Sequence, residues 1–549
     1  MNEHLRITLN NKSITALPGT TIAQMLALHP HTGAFPAIGA VVDNRMSGLN
    51  RAIRHHATIE TIDMSSREGM EIYRRTAGML FYAAVEAFDP KAKVVIGQSI
   101  DEGYCFDTIG FEPTPAVVKK LETLMHALVA ENRALDPDWI PIEEAIQIFE
   151  KRNRPDRVLL LRQIRRSDVP LLTIAHYIGY VHGPIAPHTG IIDRFKLHPY
   201  ENGLVLEFPN AKGELAGTIA PRPKLFATYT ESRTWRQLMQ VENVAQLNEL
   251  TSKGQVSEMI KVAEALHEKK IAAIADQISG NRDMQFVFIA GPSSSGKTTF
   301  TKRLAIQLQV CGIRPIALSL DNYYLDREQS PRHADGTFNF ESIEALDLPL
   351  LNDQLSRLMK RKLVETPLYS FPRGRRIQKT VPMQLTPGQV VLIEGIHGLN
   401  NRLSAAIPAN HKFKIFISAL TQLCIDDHNR IFTSDSRLIR RMIRDRRYRG
   451  TNAADTILGW PSVRAGESEW INPFQEDADA IFDSSLCYEQ AVLKNYAERF
   501  LTEIPKENPA YVEALRLFRF FDLFVPLQSE DVPTNSILRE FTGGSSFRY

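Results

Sequence analysis

The chain reads as a multidomain α/β protein. A small β-grasp unit stands in front, a mixed α+β unit follows, and a C-terminal P-loop domain is built on a parallel sheet. Three observations predict this. Within the first 62 residues a strand, a hairpin partner, a helix and further strands succeed one another. In the C-terminal half, short wholly apolar runs alternate with helical stretches, as parallel strands covered on both faces require. The first of those runs leads directly into Gly291-Pro-Ser-Ser-Ser-Gly-Lys-Thr298, a phosphate-cradling pattern with a strand before it and a helix after it. The 549 residues suffice for about three or four domains at roughly 100–200 residues each.

Taken in order, Leu5–Asn10 and Lys12–Ala16 alternate apolar and polar residues around an Asn10-Asn11 turn. Thr21–Leu28 has helical spacing behind Pro18-Gly19-Thr20. Residues 63–225 are mixed α+β and include an apolar helix from Tyr73 to Phe88. Residues 226–280 carry charged helical periodicity (Met259, Val262, Leu266, Ile271) and read as a helical connector. The last unit, 281–549, opens with the Phe286–Ala290 strand, the glycine loop and a helix showing Phe300, Leu304 and Leu308 on one face. Ile316–Leu320, Val390–Ile393 and Phe413–Ile417 supply further strands. In such sheets the ligand sits at the carboxyl ends of the strands.

Composition narrows the class. Lys and Arg number 65 against 63 Asp and Glu, a formal net charge of +2, which excludes a uniformly basic nucleic-acid coat. The longest apolar runs fall far short of the roughly 18 residues a membrane helix needs, and the polar N-terminus is unlike a secretory signal. The four cysteines (Cys105, Cys311, Cys424, Cys487) form no CxxC pair, too sparse for a disulfide framework or a cysteine-built zinc site. A soluble, cytoplasmic protein without a membrane partner is expected.

The chemistry concentrates in the C-terminal unit. Gly291, Ser293, Ser294, Ser295, Gly296, Lys297, Thr298 and Thr299 make up the loop and the first helical turn. Backbone N–H groups would point at phosphate oxygens, Lys297 would reach the β- and γ-phosphates, and the Thr298 hydroxyl would ligate Mg²⁺. ATP and Mg²⁺ are the expected cofactors. Asp321, in Leu318-Ser-Leu-Asp-Asn-Tyr-Tyr324, stands where the next strand ends and suits a general base for an acceptor hydroxyl; a plain turn aspartate is the alternative. Glu394 ends the Val390–Ile393 run and suits an Mg²⁺ role, directly or through the outer shell. Arg437, Arg440, Arg441 and Arg444 lie on neighbouring helical turns, where guanidinium groups can clamp phosphates as a catalytic lid. No NKxD sequence is present, which weighs against a GTPase.

Together these residues resemble the uridine kinase/phosphoribulokinase family over about 281–500. The likeness rests on GPSSSGKTT, SLDNYY, Phe338-Asn-Phe340-Glu341, Pro367-Leu-Tyr369-Ser-Phe371, VVLIEGI and RLIRRMIRD. It implies that Asp321 activates a nucleoside 5′-hydroxyl, that Tyr324, Phe340 and Tyr369 line the acceptor pocket, and that Glu341 holds ribose hydroxyls. It implies substrate-side and lid roles for Arg376, Arg437, Arg440 and Arg444. One departure matters: Gly374 stands where uridine kinases have a base-contacting His, which predicts relaxed base preference.

The front half resembles two modules of threonyl-tRNA synthetases. Residues 1–62 look like a TGS domain and 63–225 like the second additional domain, through Ile72-Tyr-Arg74-Arg-Thr-Ala-Gly78, Glu102-Gly-Tyr-Cys-Phe-Asp107 and Val181-His-Gly-Pro-Ile185. The synthetases read H-x-x-x-H and C-x-x-x-H where this chain has Arg74, Gly78, Val181 and Ile185, none a useful zinc ligand. His182 and His188 read as surface or pocket residues and His333 as a solvated loop residue. The expectation is a kinase acting on a nucleoside or related small molecule. A cleft with Arg74, Arg75 and His182 near its mouth is the candidate place for an anionic ligand such as a nucleotide or an RNA end; a purely structural role for the domain is the alternative. The alternative is an RNA- or ribosome-associated ATPase docked through its TGS domain; a tRNA-editing hydrolase is disfavoured by the missing ligands. The acceptor and the oligomeric state stay open.

Overall fold

The computed structural model describes residues 4–333, 336–421 and 423–548. In the N-terminal sheet the strands run Lys12–Ala16, Leu5–Leu9, Ala57–Ile62, Gly39–Val42, Met46–Ser47. Leu9 pairs with Lys12, so Asn10 and Asn11 form a two-residue turn with φ of 47° and 65°; asparagine tolerates this region better than most residues. The Ile22–Leu28 helix starts from a Thr21/Gln24 capping box and buries Ile22 and Met25 against Ile7, Leu9 and Ile59.

The predicted 73–88 helix is longer, Arg67–Phe88, with Ser66 capping Gly69 N–H. It is buried along most of its length, against an antiparallel sheet ordered Lys196–Tyr200, Gly203–Glu207, Gly103–Ile109, Lys93–Ile100. The 226–280 segment is more than a connector. Its helices, Pro223–Met239, Val244–Ser252 and Val256–Ser279, share one core with the C-terminal unit: Met259, Ile271 and Ile274 pack with Phe300 and Leu304. Glu264 and Glu268 bond Arg303 at 3.4 and 2.6 Å. The two apolar stripes face each other, a relation that periodicity in each stretch separately does not reveal.

The C-terminal sheet is ordered Arg314–Ser319, Gln389–Glu394, Phe286–Ala290, Lys412–Ser418, Ala480–Asp483. Every neighbouring pair is parallel. The register sets Ser319, Glu394 and Ile289 in one row, so the chain turns off three adjacent strands at the same edge. No helix among the described residues is long and apolar enough to cross a membrane.

One feature overturns the expectation of an open cleft in the front half. Between the Lys412–Ser418 strand and the Thr433–Tyr448 helix, Cys424–Asp426 and Asn429–Arg430 form a hairpin that enters the synthetase-like unit. Its His428 ring stacks on Tyr82 at 3.8 Å and 12°, and Tyr82 lies over Gly78. His428 Nδ1 lies 2.6 Å from Arg157 Nη2 and 2.9 Å from Tyr177 Oη. Ile96 N–H donates to Asp427 O at 2.8 Å. Arg74 pairs with Glu102, Arg75 donates to Pro184 O at 2.5 Å, and His182 lies 3.7 Å from the buried Asp426 carboxylate. The cationic mouth is thus answered from within the chain.

Candidate active site

The loop between the Phe286–Ala290 strand and the Lys297–Val310 helix needs its glycines. A Cβ on Gly291 would fall 2.2 Å from Ile417 O. Gly296 has φ +82° and a Cβ there would meet Ile537 Cγ2 at 2.5 Å. Ser294 takes φ 59° without being glycine, local strain of the kind that gathers at functional loops. The Ser294 and Ser295 hydroxyls are buried and have no partner among the described residues.

Four side chains meet at the shared strand edge. Lys297 Nζ donates to Gly291 O at 2.9 Å and Pro292 O at 3.0 Å; burial lowers its pKa against the pull of Glu394 and Asp321. Thr298 Oγ1 donates to Glu394 Oε1 at 2.8 Å. Burial pushes the Glu394 carboxyl up to about 7, with Lys297 and Thr298 opposing. Asp321 lies in a Leu320–Tyr323 turn; burial raises its pKa while Lys297, Arg449 and Arg444 oppose. A hydroxyl and a carboxylate side by side next to a lysine form a hard-oxygen donor set that suits Mg²⁺ carried with phosphates. Among the described residues no group of three or more His, Cys, Asp or Glu could hold a metal by itself.

On the acceptor side, Tyr324, Tyr369 and Phe371 cluster with ring centroids 5.3–6.3 Å apart, and Tyr324 Oη donates to Phe340 O at 3.2 Å. Phe340 itself is 40% exposed and stacks on Phe338. Burial pushes Glu341 up to about 7, and its Oε2 is buried without a partner among the described residues. Arg376 is engaged elsewhere, donating to Asp347 Oδ2 and Tyr323 O at 3.0 Å each, so it braces the Asp321 turn. Gly374 has φ +63°, and a Cβ there would lie 2.8 Å from Arg327 Nε. The room a histidine at 374 would take is already filled by Arg327.

The arginine helix divides, and one expectation is corrected. Arg437 makes its direct contacts with the loop and with Glu467, its Nε donating to Ser293 O at 2.9 Å and its Nη1 to Glu467 Oε2 at 2.9 Å, while its charge acts on Glu341 of the acceptor side. Arg440 is 0% exposed, paired with Glu489 and donating to Ser484 O at 3.0 Å and Ser294 O at 3.4 Å. Both brace the loop from behind, because the face of this helix that carries them is buried. Arg441 Nη1 donates to Ser293 Oγ at 2.8 Å. Arg444 and Arg449 share Asp445 and act on Asp321, so Arg444 keeps the expected neighbourhood. Sequence reading missed Glu467, whose carboxylate accepts from Ser293 N–H at 3.1 Å, as well as Arg327, Arg449 and Glu540. The proximity of Arg449 to the RLIRRMIRD run was the one signal available.

The model of the Phosphoribulokinase / Uridine kinase family matches residues 286–489, the stretch that holds the loop, Asp321, Glu394 and the arginine helix. The front half of the chain is similar to threonine–tRNA ligases. The Clostridium kluyveri protein is 30% identical over 196 residues, 35% of this chain and 31% of that protein. The Acidithiobacillus ferrooxidans protein is 32% identical over 165 residues, 29% and 25%. The chain spans about a third of the length of the first of these relatives. Among solved structures, a "possible uridine kinase" from Bacillus stearothermophilus is 16% identical with a TM-score of 0.28, covering 39% of this chain and 98% of that one. A D-glycerate 3-kinase from Cryptococcus neoformans is 17% identical with a TM-score of 0.23, covering 46% and 89%.

Proposed function

We propose that the C-terminal domain transfers a phosphoryl group from ATP to a hydroxyl of a nucleoside or a related sugar-bearing molecule. The observation that carries this reading is the convergence of Lys297, Thr298, Glu394 and Asp321 at one sheet edge, fixed by the row Ile289–Glu394–Ser319. The loop amides and Lys297 bind and orient the phosphates, in the dipole field of the helix N-terminus. Thr298 and Glu394 would hold Mg²⁺, which when bound would neutralise phosphate charge. Asp321 takes the proton of the acceptor hydroxyl, and its raised pKa makes it a stronger base than an ordinary aspartate. Arg444 and Arg449 offset charge on the transferred group. Arg437 and Arg440 act indirectly, by fixing the loop.

A nucleoside is supported by two features. The Tyr324/Tyr369/Phe371 cluster offers a ring-sized apolar surface and Glu341 a buried acceptor for sugar hydroxyls. Arg327 in place of an imidazole favours relaxed base preference. The test is a panel of nucleosides, sugars and sugar acids incubated with ATP and Mg²⁺, with product mass read by mass spectrometry. A nucleoside gaining one phosphoryl group supports the reading. ATP hydrolysis with no acceptor modified favours an ATPase instead.

A further inference from the structure

The chain beyond the family-matched residues returns to the phosphate loop. After the Glu489–Thr502 and Tyr511–Phe521 helices, residues 525–548 run back across the loop and its helix. Ile537, Leu538 and Phe541 enter the core that holds Phe300 and Leu304. Arg539 ties the segment to itself, donating to Ser529 O and Val532 O at 2.6 Å each. The arginine helix ties it down, with Arg447 donating to Thr542 O at 2.5 Å.

This strap carries Glu540, 7% exposed. One carboxylate oxygen accepts from Thr299 N–H at 3.2 Å and from the Thr299 hydroxyl at 2.8 Å. Thr299 N–H is among the first donors of the Lys297–Val310 helix, which are left without intrahelical partners and which a loop of this kind offers to phosphate. Glu540 also joins Glu394 and Asp321 in the field around Lys297. Its neighbours reach the end of the loop and the arginine helix: Ile537 lies against Gly296, and the Phe541 ring is 5.2 Å from the Arg440 guanidinium.

We infer that residues 529–548 form an autoinhibitory strap in which Glu540 stands in for a nucleotide phosphate, so that nucleotide binding requires its release. An arriving phosphate finds a donor already taken and meets a fixed like charge beside it. The inference rests on the reading of the loop as a nucleotide site. A population argument sets the size. If the strapped state holds about 90–99% of the molecules, apparent nucleotide affinity falls about 10–100-fold below that of the open state.

The experiment uses the full chain. A fluorescent ADP analogue with Mg²⁺ is titrated into wild type, Glu540→Gln, Glu540→Ala and Lys297→Ala, with circular dichroism checking the fold. Hydrogen exchange of the peptides covering 529–548 is followed with and without ADP. The glutamine variant keeps shape and an acceptor oxygen but removes the charge. The strap predicts binding at least tenfold tighter in both Glu540 variants, and faster exchange across 529–548 when ADP is added to wild type. Equal or weaker binding in Glu540→Gln, with exchange unchanged, makes Glu540 a permanent helix cap and ends the proposal. If Lys297→Ala still loses binding in that case, the nucleotide site survives and only the strap fails. If no folded protein of the set binds nucleotide, the site reading falls and the strap with it.

Discussion

His428→Ala tests the seam between the two halves. The imidazole is buried, stacked on Tyr82 at 3.8 Å, and its Nδ1 faces Arg157 Nη2 at 2.6 Å and Tyr177 Oη at 2.9 Å. Burial lowers its pKa well below the ordinary value, with Arg157 and Arg154 adding to the shift, so it is a neutral acceptor. Losing the stack costs about 0.5–1.5 kcal/mol. Leaving a buried donor without its acceptor costs about 1–3 kcal/mol, more for a charged group. Arg157 keeps Ile178 O at 2.9 Å and Tyr177 Oη at 3.2 Å, which holds the loss to about 1.5–4.5 kcal/mol in total. The readout is hydrogen exchange of peptides covering 93–100 and 424–432, because Ile96 N–H bonds Asp427 O across the seam. Opening of a local unit sets its exchange, so protection there should fall by about 10–10³-fold. Tyr82→Phe keeps the stack and loses only the hydroxyl bond to His428 O at 2.8 Å, about 1 kcal/mol, and should change protection only a few-fold. Less than a tenfold change in folded His428→Ala would refute the claim that this hairpin anchors the two halves.

Asp321→Asn should leave nucleotide binding near wild type and reduce turnover by about 10²–10⁴-fold, whereas Lys297→Ala should impair both; unchanged turnover in Asp321→Asn, measured by product formation, ends the base role. Glu341 and Glu394 have folded pKa values pushed up to about 7, so the stability each contributes is present below the ordinary glutamate range and lost as pH rises through about 7. Glu341→Gln with Glu394→Gln should flatten that part of the pH profile of thermal unfolding, and an unchanged profile rejects the assignment. Arg327→Ala should raise KM for the acceptor and leave KM for ATP unchanged, read from initial rates over a range of each substrate. Arg74, Gly78, Val181 and Ile185 lack zinc-binding side chains apart from a cation already paired with Glu102, so desalted protein should carry less than one zinc per chain by inductively coupled plasma mass spectrometry.

How much was legible depended on how local each signal is. The glycine loop, the Asn10-Asn11 turn and the apolar runs of the parallel sheet are short-range patterns that constrain their own backbone, and they stand in the structure where they were read. Lys297, Thr298, Glu394 and Asp321 were legible because parallel strands of similar length end together, so strand-terminal polar residues must gather at one edge. The arginine run was not legible beyond its helix. Arg437 and Arg440 share its sequence character with Arg441 and Arg444, and only the packing of one face against Glu467 and Glu489 separates loop braces from groups near Asp321.

The sequence by itself determined the multidomain class and the phosphate loop with its partner strands, since each rests on residue type and spacing within one stretch. The tertiary structure alone decided that His428 fills the front half and that Glu540 returns to Thr299 N–H. These contacts join residues 346 and 241 positions apart in the chain. No local pattern encodes such pairs, because their energy comes from desolvation and hydrogen bonding that exist only once the elements have packed.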